Sequence, residues 1–488
     1  MDERIRATNK SAAVQEYQDT LRQFKNAIAA LSALERSLTV EVIRFNVTMR
    51  TVVLSRGITI IPDEILARIL IEANNERQQR YRPKTAPESL RLVCKRFYEV
   101  VNTTPAMWSF ISSTMPTRQF TERIRRSGSV ALTVDLNCMY RRGTTLASFV
   151  DAALLHASRW KNVELTRLRE LRYHTYVREK LVNLDLPQVN RITIDSGDCI
   201  YESWILSNLR RFACHDFIPA AISNMANLVD CELLLSSGPR FAGPPNYSLR
   251  KLSTFLSALQ TLQTLRFRFH RANTVEADTL QPIDFPCLER LFFTFDFASI
   301  MDNEPGVDTG AVVEAFYRFL GQIKAPQLED FDLSFVDLTE WEDHLQDLTD
   351  GLMRSLRNSS KPRRLRLAMK KPFYRFKFKL STIVTNAILS LTSLESITIE
   401  KMHVVYMDEY APAGQVAEYP RPSSGRLRRL RLKDCELSNK SVRYLLNVLT
   451  DPDVFPDFEA LVLIRCVGFV HSELEEICGW EYIVTQED

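Results

Sequence analysis

The sequence predicts an α/β chain: a solenoid of stacked strand-and-return units, preceded by an all-helical module and an N-terminal amphipathic helix. Three observations predict it. Beyond about residue 150 a phrase of the form apolar-x-x-apolar-x-apolar recurs eleven times. From Ile61 to Ile111 two apolar stripes at helical spacing flank a polar segment that holds Pro83 and Pro87. Ahead of them, Val14, Tyr17, Leu21, Phe24, Ile28 and Leu31 step by alternating threes and fours, a heptad-like seam. The chain therefore divides into residues 1–57, 58–112 and 113–488.

Taking the elements in order, the first helix continues through Leu34, Leu38, Val42, Phe45 and Met49, where the steps depart from the heptad register. It either pairs with a partner helix or folds back on its own chain, and Arg56-Gly57 ends it. In the helical module Pro62 suits a first turn, and Asp63 and Glu64 complement the helix dipole there. Ile61, Ile65, Leu66, Ile69 and Leu70 then make one wide apolar stripe. A second helix carries Leu90, Val93, Phe97, Val100 and Val101 on one face with Leu92 and Cys94 beside it. Pro105 stops it, and Met107, Trp108, Phe110 and Ile111 close the module. Some fifty residues with this much apolar surface cannot bury all of it internally, so the remainder should dock against something else.

The phrases begin at Trp160, Val189, Leu209, Leu228, Leu262, Leu288, Leu328, Pro362, Leu394, Leu427 and Phe458. Their starts are 29, 20, 19, 34, 26, 40, 34, 32, 33 and 31 residues apart. That pitch is the pitch of a leucine-rich repeat, in which a short strand carries the phrase and a helix or looser segment returns the chain. Helical stretches such as TLASFVDAALLHA, TGAVVEAFYRFLGQI and NKSVRYLLNVLT fall between phrases. Pro, Gly and Ser mark exposed insertions at SSGPRFAGPPNY, MDNEPGVDTG and DEYAPAGQVAEYPRPSSG.

Composition narrows the function. The 488 residues carry 63 Lys+Arg against 60 Asp+Glu, a net charge of +3, with hydrophobic residues at 45% and charged residues at 25%, as in an ordinary globular protein. Near-neutrality, with no aromatic-plus-glycine recognition motif, argues against nucleic acid as a partner. Only 14 glycines leave few candidates for a phosphate-cradling loop. No apolar run reaches the roughly 18 residues that span a bilayer, and the opening MDERIRATNK lacks the pattern of a secretory signal. The expectation is a soluble chain without membrane contact, cytoplasmic or nuclear. Nine cysteines at 94, 138, 199, 214, 231, 287, 435, 466 and 478 never fall as C-x-x-C. They read as buried small apolar residues in a reducing compartment, with no metal and no cofactor expected. G-x-x-x-x-G-K-[ST], H-E-x-x-H and G-x-S-x-G are all missing from the sequence, so no catalytic residue is named.

The stretch Ile61 to Ile111 resembles an F-box. The family's opening Leu-Pro-x-Glu-Ile-Leu is here Ile61-Pro62-Asp63-Glu64-Ile65-Leu66. Its second signature is here Leu92-Val93-Cys94-Lys95-Arg96-Phe97, and its Pro-x-x-Trp is Pro105-Ala106-Met107-Trp108. Two departures, Ile61 for Leu and Phe97 where Trp is common, keep the apolar bulk. With the repeats behind it, the layout is similar to that of fungal F-box and leucine-rich-repeat proteins along nearly the whole chain. The resemblance implies a non-catalytic substrate receptor of a Skp-cullin-F-box ubiquitin ligase, whose box docks the Skp-type adaptor and cullin complex and whose repeats hold a target protein. The rival reading is a scaffold that self-associates through its N-terminal helix; a nucleic-acid-binding repeat protein is the more remote one.

On this reading Ile61, Pro62, Ile65, Leu66, Ile69, Leu70, Leu92, Val93 and Trp108 face the adaptor, support that face, or pack the box internally. Strand residues alternate sides, so those between the buried apolar positions form the opposite, target-binding face. They include Arg266, Arg268, Phe292, Thr294, Asp332, Ser334, Arg366, Thr398, Glu400, Arg431 and Lys433. Between Lys361 and Lys379 lie nine Lys/Arg and no acid. With Arg426, Arg428 and Arg429 nearby in repeat order, this suggests a basic sector for an acidic or phosphorylated target, or a solubilising surface.

Overall fold

Every one of the eleven phrases lies at or just before its own strand, with its apolar side chains buried on one side. In the computed structural model these strands are neighbours in a single 14-stranded sheet, and every neighbouring pair is parallel. The structure describes residues 25, 34, 37–38, 40–42, 44–45, 60–81, 86–138, 145–166, 175–195, 199–215, 217–219, 225–236, 249–270, 282–296, 318–336, 362–369, 378–379, 393–400, 403–405, 426–437, 442, 446, 449–450, 455–468 and 483–486. The chain divides into two units, Met1–Met107 and Trp108–Asp488.

In the first unit, described residues at 34, 38, 42 and 45 are helical, and Leu34, Leu38, Val42 and Phe45 are exposed. Val14, Tyr17, Leu21, Phe24, Ile28 and Leu31, the regular part of the expected seam, lie outside the described residues. The module itself has three helices: α1 (Asp63–Tyr81), α2 (Ala86–Leu90) and α3 (Lys95–Thr103). The Pro62 carbonyl accepts the first helical bond, from Leu66 N, so Pro62 sits just outside α1 rather than in its first turn. The expected single second helix is broken. Leu92 N and Val93 N bond back to Ser89 and Leu90 as a tight turn, and Cys94, in extended conformation, caps α3 by accepting from Phe97 N at 3.5 Å. Helical periodicity could not reveal this, because a thiol is a weak and uncommon cap. Thr104 precedes Pro105 and is extended, as the proline ring demands, which closes α3.

The second unit runs β1 (Phe110–Ser112), α4 (Thr117–Ser127), β2 (Leu132–Asn137), α5 (Thr145–Leu154), β3 (Trp160–Thr166), α6 (Thr175–Leu181), β4 (Arg191–Ile194), β5 (Arg211–His215), β6 (Asp230–Ser236), α7 (Leu249–Ser257), β7 (Thr264–His270), β8 (Ile283–Asp284) and β9 (Arg290–Asp296). It continues through β10 (Ile323–Lys324), β11 (Asp330–Val336), β12 (Arg364–Met369), β13 (Phe378–Lys379), β14 (Ser396–Glu400), β15 (His403–Val405), β16 (Arg429–Lys433), β17 (Glu436–Leu437), β18 (Ala460–Ile464) and β19 (Ile483–Gln486). β8 with β10, and β13 with β15 and β17, form two small parallel sheets of their own. Phe110 and Ile111, expected to close the helical module, instead open the large sheet, with Phe110 opposite Thr133. The helix expected over TLASFVDAALLHA is α5; the three proline- and glycine-bearing insertions lie outside the described residues, apart from Ser236 at the end of β6.

One hydrogen-bond device repeats at the start of the strands. The first apolar residue of a phrase closes a tight turn, as where Leu228 N bonds Met225 O and Leu262 N bonds Leu259 O. Then two successive N–H groups share one carbonyl of the preceding strand's lead-in: Arg210 and Arg211 on Asn190, Val229 and Asp230 on Arg210, Glu459 and Ala460 on Arg428. This backbone rail holds the strands in register, so equivalent residues line up across the sheet. The inner face follows suit. Phe267 stacks on Phe293 with ring centroids 5.0 Å apart, Phe269 on Phe295 at 5.5 Å, and Phe295 on Phe335 at 6.0 Å. Trp160 is wholly buried and its indole N–H donates to Ala153 O, tying β3 to α5. Not all cysteines are buried as expected, for Cys94 and Cys287 are exposed.

Candidate functional site

Two surfaces stand out, one in each unit. On α1 the wide apolar stripe splits. Leu66 and Leu70 are buried, while Ile65 and Ile69, one helical position earlier and one turn apart, are 50% and 49% exposed. In the turn between α2 and α3, Leu92 is 86% and Val93 60% exposed. The two ends belong together, because Arg96 of α3 donates to Asp63 Oδ1 at 2.7 Å through Nη2 and also bonds the Ile61 carbonyl. That tether brings the Leu92-Val93 turn to the N-terminal end of α1. Ile60 and Tyr98 add further exposed apolar surface, and the Arg91 guanidinium lies 4.7 Å over the Tyr98 ring. Of the nine predicted adaptor residues, Ile65, Ile69, Leu92, Val93 and Pro62 are exposed, Ile61 is half-buried, and Leu66, Leu70 and Trp108 are buried. Trp108, at the start of the second unit, lies beneath the Arg126 guanidinium at 4.4 Å.

On the sheet, the predicted target-binding residues do fall on one side, in two adjacent rungs. Glu232, Arg266, Phe292, Asp332, Arg366, Thr398 and Arg431 stand opposite one another strand by strand, and Arg268, Thr294, Ser334, Glu400 and Lys433 form the next rung. Several of these residues are occupied by their neighbours. Arg266 pairs with Asp230 and lies 5.1 Å over the Phe292 ring. Arg366 bridges Asp332 at 2.5 Å and Glu400 at 2.7 Å, and Glu400 also meets Lys433 at 3.8 Å. Asp332 is itself buried and accepts from Ser334 Oγ at 2.9 Å. Burial pushes the Glu400 carboxyl up, but the hydrogen bond and charge of Arg366, with the charge of Lys433, outweigh it and hold the carboxyl below its ordinary range.

Five arginines of the basic sector read from the sequence, Arg363, Arg364, Arg366, Arg428 and Arg429, have acidic partners. Arg363 faces Glu395, Arg364 pairs with Asp330 and Glu329, and both Arg428 and Arg429 reach Glu459. Of the Lys361–Lys379 run, Lys361 and residues 370–377 lie outside the described residues. Arg431 is exposed between Thr398 and Val462. Sequence reasoning passed over Lys161, Arg191, Arg210 and Arg211, which the register places together on three adjacent strands. Among the described residues no group of three or more His, Cys, Asp or Glu side chains could hold a metal ion, and no helix is long and apolar enough to cross a membrane.

No protein-family model and no curated protein matches this chain. Its function is therefore argued from the two surfaces alone.

Proposed function

We propose that this chain is the substrate-receptor subunit of a Skp-cullin-F-box ubiquitin ligase. Residues 58–112 are read as the F-box and residues 113–488 as an irregular leucine-rich-repeat solenoid that holds a target protein in the cytoplasm or nucleus. One observation carries the reading: a three-helix module of ordinary size leaves Ile65, Ile69, Leu92 and Val93 in water. Burying what they expose is worth about 4–7 kcal/mol in total, enough to anchor a partner. The parallel sheet supports it from the other side, since one face is spent on the core and Arg268, Arg366 and Arg431 on the other are exposed. Chemistry then belongs to other subunits, and this chain raises the effective concentration of target lysines near the activated ubiquitin.

The test is capture of a purified Skp-type adaptor by the full chain. Ile65→Asp with Leu92→Asp should weaken capture at least a hundredfold and leave the thermal melt unchanged, because both side chains are exposed in the free chain. Undiminished capture refutes the assignment. Leu66→Ala is a poor probe, since emptying that buried site costs about 2–5 kcal/mol of folding stability on its own.

A second reading is favoured by the exposed stripe Leu34, Leu38, Val42 and Phe45 on described helical residues. Such a stripe suits a partner helix, and a second copy of this chain supplies one. A solution mass of twice 56.3 kDa that falls to one chain when Leu38 and Phe45 are changed to Asp supports it.

A further inference from the structure

Along the rail at the start of the strands, lead-in residues occupy equivalent places, so arginines at different points of the sheet can be compared directly. In the C-terminal half the row reads Glu329, Arg363, Glu395, Arg428, Glu459, alternating in sign from one strand to the next. Arg363, Arg364, Arg428 and Arg429 all find a carboxylate there. In the N-terminal half the same row reads Lys161, Asn190, Arg210, Val229, and the first rung behind it reads Asn162, Arg191, Arg211, Asp230. Arg191 and Arg211 stand directly opposite each other on β4 and β5. Asp230, the one acid in this row, is taken by Arg266 from the far side. Among the described residues no ion pair reaches Lys161, Arg191, Arg210 or Arg211. Glu164 and Glu232 stand one rung further along the strands.

Like charges in register on neighbouring strands destabilise the sheet, and from Glu329 to Glu459 the same positions avoid the problem by alternation. Three strands at about 4.8 Å spacing make the cluster roughly 10 Å wide, the reach of two or three acidic side chains on an extended peptide rising about 3.3 Å per residue. Guanidinium groups pair carboxylate and phosphate through two parallel N–H donors.

We propose that Lys161, Arg191, Arg210 and Arg211 form the anchoring site for an acidic segment of the target protein, its carboxylate or phosphate groups supplying the counter-charge that the sheet withholds. This rests on the reading of the sheet's open face as the target-holding surface. The assay below omits the adaptor, so failure of adaptor capture and failure of this site are separate results.

The probe is a fluorescein-labelled twelve-residue peptide alternating Glu with Ser, titrated with the full chain and followed by anisotropy, beside its Gln counterpart. Binding of the Glu peptide at least tenfold tighter than the Gln peptide, weakening as salt rises, is expected. Arg191→Gln with Arg211→Gln should lose at least tenfold in affinity, whereas Arg118→Gln with Arg250→Gln, an equal change in net charge on helices, should lose less than twofold. Removing the opposed charges should leave the melting temperature level or higher, which separates lost binding from misfolding. Arg191→Lys with Arg211→Lys keeps the charge and should bind within about fivefold. A peptide with two phosphoserines in place of Glu distinguishes the sources: tighter binding names phosphate, equal or weaker binding names carboxylate. Equal binding of Glu and Gln peptides, equal loss in the two Gln variants, or a single-stranded RNA that binds through Arg191 and Arg211 more tightly than any peptide overturns the proposal.

Discussion

Arg366 is the keystone of the ion ladder across β11, β12 and β14, and replacing it with Met should loosen those strands without disturbing the rest of the sheet. The substitution keeps the aliphatic stem and removes the guanidinium from two carboxylates whose side chains are only 13% and 14% exposed. Breaking a fully buried pair costs about 3–5 kcal/mol, and an exposed one under about 1. Arg366 itself is 44% exposed, which discounts the cost to about 2 kcal/mol. Each strand bonds only to its neighbours, so the loss should appear locally, as roughly thirtyfold faster amide exchange in peptides covering residues 330–336, 364–369 and 396–400. Exchange in β3 and β4 should not change. The pH dependence has a definite sign. Glu400 titrates below its ordinary 4.5 in the folded chain, so its contribution is complete above about 4.5 and is lost as pH falls through the depressed value. Protection of β14 should therefore decline in acid in the parent chain and much less in the variant. An exchange change under threefold, or one spread evenly over the sheet, refutes the ladder as a stabilising element.

Cysteine reactivity and one carboxyl titration give two further expected outcomes. Brief treatment of the native chain with iodoacetamide should modify Cys94 and Cys287, which are exposed, and spare Cys138, Cys214, Cys231 and Cys435; Cys231, wholly buried, has its thiol pushed further up by desolvation and by Asp230 and Glu232. Peptide mass mapping checks this, and early modification of Cys231 contradicts it. In α4, hydrogen bonds from Arg125 and Arg126 hold the Glu122 carboxyl down at about 2, so its contribution to the helix is present above 4.5 and disappears as pH falls towards 2. A carboxyl carbon resonance for Glu122 that titrates near 4.5 would refute that clamp.

The sheet was legible because its inner face obeys a period of two with a fixed phase, and each apolar phrase marks one strand. β2 escaped because only the small Ala131 stands at its first phrase position and a register shift sets Leu132 opposite Trp160 instead, and β1 because three residues carry no periodicity. The acidic partners of Arg363, Arg364 and Arg366 were illegible for a different reason. Between Lys361 and Lys379 the chain has no acid, but in a parallel sheet the compensating groups lie one strand away: Asp330 and Asp332 before, Glu395 and Glu400 after. A local run cannot show what stands beside it at a separation of about 34 residues, as between Arg366 and Glu400. The converse error hid Arg191 and Arg211, which are isolated in sequence and adjacent in register.

The helical module poses the sharper question of how surplus apolar surface is told from core. A helix packed on one side of a small unit needs an apolar stripe about 100° wide. Ile65, Leu66, Ile69 and Leu70 make a wider one, and the fold spends only the Leu66–Leu70 half of it. The same division falls in the α2–α3 region, where Leu90 is buried and the next two apolar residues, Leu92 and Val93, are lifted out by the Cys94 cap. Had the helix continued as its periodicity suggests, Val93 would have followed Leu90 and Phe97 inward. The break leaves both Leu92 and Val93 exposed. On the proposed reading a second polypeptide would bury both side chains, and the turn, more than the length of the apolar stripe, is then the docking face to test.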